Sequence, residues 1–238
     1  MSDSATKIVL YCERSLSSTP HALWAEPLNV LSNGAYVAVG VWALLRFGDL
    51  VAVRALAILA VVVGIGSTAF HVFATRWAMI ADVVPIVAFV VVAWWFEARH
   101  WPTVQRRRTL VILCAVAASL IGASSTACRL APLDFNSLSR LPAPCLGGGL
   151  LYGAAIAAVG IAALNARHLE NVARWLWSAT AILTASLLAR ALDPYVCPLL
   201  SVAHINVTAH VAWHLGTALA MAAVIRAANA QERRATDC

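Results

Sequence analysis

The sequence predicts an all-α membrane protein: a bundle of seven transmembrane helices with its N-terminus outside and its C-terminus cytoplasmic. Three observations carry that expectation. Hydrophobic residues make up 61% of the 238-residue chain and charged residues only 12%, against about 45–50% and about 25% in soluble domains. Apolar stretches near the roughly 20 residues needed to cross a bilayer recur along it. Basic residues gather on alternate connections, the asymmetry expected of membrane topology.

In chain order, the spans are expected at 27–47, 51–73, 77–96, 109–127, 146–164, 174–191 and 206–227. They leave no room for a separate soluble module. Residues 1–26 form an extracytoplasmic N-terminal segment, 27–227 one seven-helix domain and 228–238 a cytoplasmic tail. The first 26 residues are polar and hold no apolar h-region, so no cleavable signal peptide is expected. Gly64-Ile65-Gly66-Ser67 and Gly147-Gly148-Gly149 interrupt two spans with small residues, which let transmembrane helices approach closely. For the glycine triplet, packing alone is the preferred reading. No internal repeat is evident.

With the N-terminus outside, the inner connections and tail carry Arg46, Arg54, Arg99, Arg106, Arg107, Arg108, Arg167, Arg174, Arg226, Arg233 and Arg234, which is 11 of the 17 Lys and Arg. The Arg106–Arg108 cluster is the strongest single vote under the positive-inside rule. The net charge of +6 therefore reads as topology and not as nucleic-acid binding, since no basic groove with interleaved aromatics is present. Trp24, Trp77, Trp101 and Trp175 fall near span ends, where an interfacial aromatic belt accounts for them.

Against this background His71, Asp82, His210 and His214 stand out. Ionisable groups at membrane depth are costly and normally face an interior site. The second helix runs outward, so His71 lies near its outer end. The third and seventh run inward, with Asp82 about five residues into one and the two histidines in the first half of the other. All four occupy one leaflet. Ser67 and His71 are four residues apart, as are His210 and His214, so each pair shares a helix face, offset by roughly 6 Å along the axis. Three histidines with an open fourth position are a common catalytic zinc site. The alternative for each is a hydrogen-bonded bundle histidine. His21, His100 and His168 fall in loops, and His204, just before the seventh helix, is best read as interfacial.

The flanking residues carry a resemblance. Tyr11-Cys12-Glu13 with Glu26-Pro27-Leu28-Asn29-Val30-Leu31-Ser32-Asn33, Gly64–His71 followed by Asp82-Val83-Val84-Pro85, and His210-Val211-Ala212-Trp213-His214 resemble three blocks of the alkaline ceramidase family, in order and at compatible spacing. The wider superfamily includes adiponectin-receptor-like proteins and hydrolases that remodel glycosylphosphatidylinositol anchors. The resemblance implies an intramembrane zinc amidase acting on ceramide-like lipids. His71, His210 and His214 match the zinc ligands, Asp82 the catalytic acid and Ser67 the serine beside the metal. Zinc lowers the pKa of a bound water from about 15.7 to about 7, and Asp82 could shuttle the proton to the leaving amine. Ser67 could hydrogen-bond the oxyanion or orient the water; helix packing is its alternative.

The family also has an acidic calcium-binding segment before the first helix. Here Leu10, Arg14 and Ser15 replace its acidic and amide positions, while Glu13 and Glu26 survive. Calcium takes about six to eight oxygen ligands, so these two carboxylates with backbone carbonyls and water form a candidate calcium set. The alternative is that Glu13 and Glu26 cap or staple the N-terminal segment, pairing with Arg14 or Arg190. Of the six cysteines, Cys114 lies in the fourth span and Cys238 in the tail, while Cys12, Cys128, Cys145 and Cys197 map outside, where oxidising conditions preserve disulfides. The resemblance implies Cys12–Cys197, leaving Cys128–Cys145.

The expected partner is a membrane lipid, with neither nucleic acid nor a protein partner evident. The Ala- and Arg-rich composition points to a bacterial inner membrane with the site facing the periplasm; the alternative is a eukaryotic endomembrane with the site toward the lumen. The competing functions are hydrolysis of another lipid amide or ester, and a receptor-like lipid sensor with structural zinc.

Overall fold

The computed structural model describes residue 8 and residues 11–19, 22–130, 149–196, 199, 201–202, 205–206 and 208–236. Its helices are α1 (Cys12–Ser15), α2 (Pro27–Ser32), α3 (Gly34–Phe47), α4 (Val51–Phe73), α5 (Arg76–Ala98), α6 (Thr103–Leu130), α7 (Gly149–Asn165), α8 (Glu170–Val196) and α9 (His210–Thr236). A two-residue antiparallel ladder, β1 (Ser201–Val202) with β2 (Ile205–Asn206), lies between α8 and α9.

The ends follow local chemistry. Pro27 opens α2, where its missing N–H is no loss and its φ suits a helix start. Leu50 and Thr75, both extended, precede α4 and α5. Ala74 ends α4 in the left-handed region at φ 49. Its N–H bonds Phe70 O at 2.8 Å and its carbonyl accepts Ile8 N–H at 2.7 Å, so the chain's reversal also ties down the N-terminal segment. The expected first span is divided at Asn33 into α2 and α3.

Among the described residues, five helices are long and apolar enough to cross a membrane: Pro27–Phe47, Val51–Phe73, Arg76–Ala98, Glu170–Asp193 and His210–Thr236. They make this a membrane protein. Helices α6 and α7 occupy the expected fourth and fifth positions, but α6 is not among those five and α7 contributes only a shorter apolar stretch, Tyr152–Asn165. Arg106, Arg107 and Arg108 lie in the first turns of α6, ahead of the uncharged residues 109–127 of the expected fourth span. Helix α9 runs nine residues past the expected span end at 227, so residues 228–236 of the expected tail are helical. At that end Arg99 pairs with Glu232, and Arg233 reaches Asp49 at 3.4 Å.

The interior is built from Tyr36, Leu56, Val63, Phe89, Leu176 and Ile225, whereas Leu45, Ile65, Val84, Val91 and Trp95 point outward, as lipid-facing positions of a bundle should. One glycine decides how close the rods come to the site. A Cβ on Gly66 would sit 2.0 Å from Ala81 O, so α4 and α5 touch backbone to backbone beside residue 82. Gly147 and Gly148 lie outside the described residues.

Candidate metal centre

Helix α4 brings Ser67 and His71, α5 brings Asp82 and α9 brings His210 and His214; all five side chains are buried. Backbone contact at Gly66 brings the Ser67 hydroxyl beside the Asp82 carboxylate. At the start of α9, the His210 N–H is held by Asp193 Oδ1 and Thr208 Oγ1, both at 3.1 Å, while the Thr208 hydroxyl donates to Asp193 at 2.5 Å. This cap on an otherwise orphaned helix terminus fixes where α9 begins, and so where its two histidines sit.

One ring nitrogen from each of His71, His210 and His214 lies within 4.8 Å of the others. His71 Nδ1 donates to Glu26 Oε2 at 2.5 Å. His214 Nδ1 lies 2.7 Å from Ser32 Oγ, whose hydroxyl donates onward to Asn29 O at 3.0 Å, so Ser32 accepts from His214. With both Nδ1 atoms protonated, both Nε2 atoms present lone pairs, and they face each other at 3.2 Å. Two lone pairs repel at that separation unless a cation lies between them. His210 adds the second sign: neither of its ring nitrogens has a hydrogen-bond partner, though both are buried. A buried imidazole without a partner is costly. Partnered outer nitrogens with free inner ones are the usual arrangement around a metal, so the triad fits a cation that favours imidazole.

The ring of Tyr11 stacks on His210 with centroids 3.8 Å apart and lies 5.0 Å from that of His71. Burial raises its phenol above its ordinary pKa, so it remains a neutral hydroxyl. It accepts a hydrogen bond from Arg190 at 3.1 Å, and the Arg190 guanidinium lies over the rings of Tyr11, Tyr152 and Trp213 at 5.3, 5.2 and 5.4 Å.

The two carboxylates considered for calcium sit differently. Glu13 caps α2, its two oxygens accepting the N–H groups of Leu28 at 2.8 Å and Asn29 at 3.0 Å. Glu26 accepts Arg14 Nε at 2.5 Å on one oxygen, and on the other His71 Nδ1 and Asn29 Nδ2, the latter at 3.1 Å. Every oxygen of the pair thus faces an N–H donor, and one faces a full positive charge. This arrangement does not fit calcium; it is the capping and stapling alternative, with Arg14 and not Arg190 as the partner. Burial pushes the Glu13 carboxyl up to about 7. Burial acts in the same direction on Glu26, but His71 and Arg14 outweigh it and hold Glu26 below its ordinary value.

Comparison with known families matches residues 4–235 to the ceramidase family. The chain belongs to that family, so it is a hydrolase of the class that cleaves the amide bond of ceramides. Searches of curated proteins and of solved structures return no match.

The sequence-predicted triad, Asp82 and Ser67 therefore converge. Ser32, Tyr11 and Arg190 were not assigned site roles from sequence. Arg190 carried a signal, being an ionisable residue within a span; Tyr11 and Ser32 fall in the blocks that carry the family resemblance, but residue type alone gave neither a role, since a serine in a helix is compatible with packing. Cys12 is buried and disulfide-bonded. Cys145, Cys197 and Cys238 and the side chain of Cys128 lie outside the described residues, as do His21 and His204, while Cys114 is a free thiol.

Proposed function

We propose that this chain is an intramembrane zinc-dependent amidase that hydrolyses ceramide-like lipids to a sphingoid base and a free fatty acid. The observation that carries the proposal is the unpartnered His210 imidazole beside two histidines whose outer nitrogens are already engaged, in a chain of the ceramidase family. His71, His210 and His214 would hold the zinc. When bound, zinc supplies a Lewis acid that polarises the amide carbonyl and acidifies a water.

The protein's own groups supply the rest. Asp82 accepts a proton from the attacking water and returns it to the amide nitrogen as the C–N bond breaks, acting as base and then acid. Ser67, beside that carboxylate, would hold it in place, and its hydroxyl is also suited to the oxyanion. Glu26 and Ser32 fix the orientation of His71 and His214. An apolar cavity supports an acyl substrate. Its lining includes Ile86, one turn along α5 from Asp82, and Trp213, adjacent to His214, then continues past Phe89 and Met221.

We place this site in the outer leaflet of a seven-span bundle with α6 and α7 included, N-terminus outside and C-terminus cytoplasmic, and Cys12 bonded to Cys197. In a bacterium the site would face the periplasm. Purified protein offered a ceramide panel should release free fatty acid and sphingoid base. Asp82→Asn should lower turnover by at least about 100-fold, the lower range for general acid–base catalysis, while retaining bound zinc. Fatty acid release only from ester lipids would overturn the amide assignment, and unchanged turnover in Asp82→Asn would overturn the proton shuttle.

A further inference from the structure

The Arg14 guanidinium is completely buried. It donates from Nε to Glu26 Oε1 at 2.5 Å, from Nη1 to Ala22 O at 3.2 Å and from Nη2 to His71 O at 2.6 Å. Glu26 in turn accepts His71 Nδ1 through its other oxygen. The contacts close a ring: Arg14 holds the carboxylate that orients the His71 imidazole, and separately holds the main chain of the same histidine. Burying a carboxylate is costly unless a partner compensates its charge, and a planar guanidinium fork suits that task better than a flexible ammonium.

We propose that Arg14 is a positioning residue for the metal centre, a built-in cation that sets His71 through Glu26 so that the histidine triad binds its metal without calcium. The inference rests on the zinc reading of the triad. The residues that could have held calcium are consistent with it, since Glu13 is spent on α2 and Glu26 on Arg14 and His71. An Arg14 that merely pinned the N-terminal segment would matter for stability but would leave the zinc affinity of folded protein unchanged.

The test is zinc affinity by competition with a chelator on the full-length protein in detergent, at temperatures where circular dichroism shows each variant folded. Arg14→Met should weaken zinc binding about 10- to 100-fold, the range for losing an outer partner of a ligand. Arg14→Lys should fall between Arg14→Met and the parent. Millimolar calcium should alter neither the zinc affinity nor the melting temperature of the parent protein. Unchanged zinc affinity in folded Arg14→Met would overturn the proposal, as would a calcium-dependent gain in the parent. The calcium measurement stands even where a variant fails to fold. His71→Ala is the separate control: zinc binding unaffected by it would sink the triad reading itself.

Discussion

Glu13 and Glu26 lie on one short stretch of chain, yet their surroundings push them apart. Glu13 accepts two neutral N–H groups, and burial, aided by the nearby Glu26 charge, outweighs them, so its carboxyl rises to about 7. A group whose folded pKa is raised contributes stability that is complete below its unfolded value and is lost as pH rises through its folded value. The unfolded value for glutamate is about 4.3, so the Glu13 contribution should fade between about pH 4.3 and 7. Melting temperatures of the parent and Glu13→Gln should therefore converge, or cross, as pH rises from about 5 to 7.5. A difference that widens in favour of the parent would contradict this. At this scale the sequence was only partly legible. The three histidines and Asp82 stood out because hydropathy alone makes them anomalous. Arg14 and Ser32 could be noted there, one as a replaced acidic position and the other within a family block, but not their contacts with His71 and His214, which lie 57 and 182 residues away and which only the fold brings near.

Helices α4 and α5 meet where Gly66 allows their backbones to touch, and that contact holds Ser67 at Asp82. Gly66→Ala places a methyl 2.0 Å from Ala81 O. It should cost about 1–3 kcal/mol, the usual price of overpacking, and lower turnover by separating the two helices. Gly34→Ala, exposed and with nothing within 4 Å, is the control and should be neutral or slightly stabilising. Melting temperature and ceramide turnover of the two variants check this; equal behaviour would remove Gly66 from the account. Span positions were readable at this scale because long apolar runs dominate them, and 51–73 coincides with α4. Ends were less readable where a cap decides them. Asp193 and Thr208 start α9 at His210, four residues after the apolar run begins, and nothing in hydropathy marks that point.

As a whole, the molecule is an apolar bundle with one strongly polar core near one end. Family membership and the helical membrane architecture were both legible in the sequence, because blocks spread from Tyr11 to His214 must meet for a site to exist. Count of spans and orientation rest instead on α6, α7 and charge asymmetry, with Arg106, Arg107 and Arg108 at the start of α6 as the strongest basic cluster. The central claim is that three histidines from two helices form one zinc site that drives lipid amide hydrolysis. Metal analysis paired with ceramide turnover on the same purified samples tests it most directly. The account predicts about one zinc per chain, loss of zinc and turnover together in His71→Ala, His210→Ala and His214→Ala, and recovery of chelator-treated parent protein on adding zinc. Full ceramide turnover by metal-free protein, or stoichiometric zinc retained by folded protein lacking all three imidazoles, would contradict it.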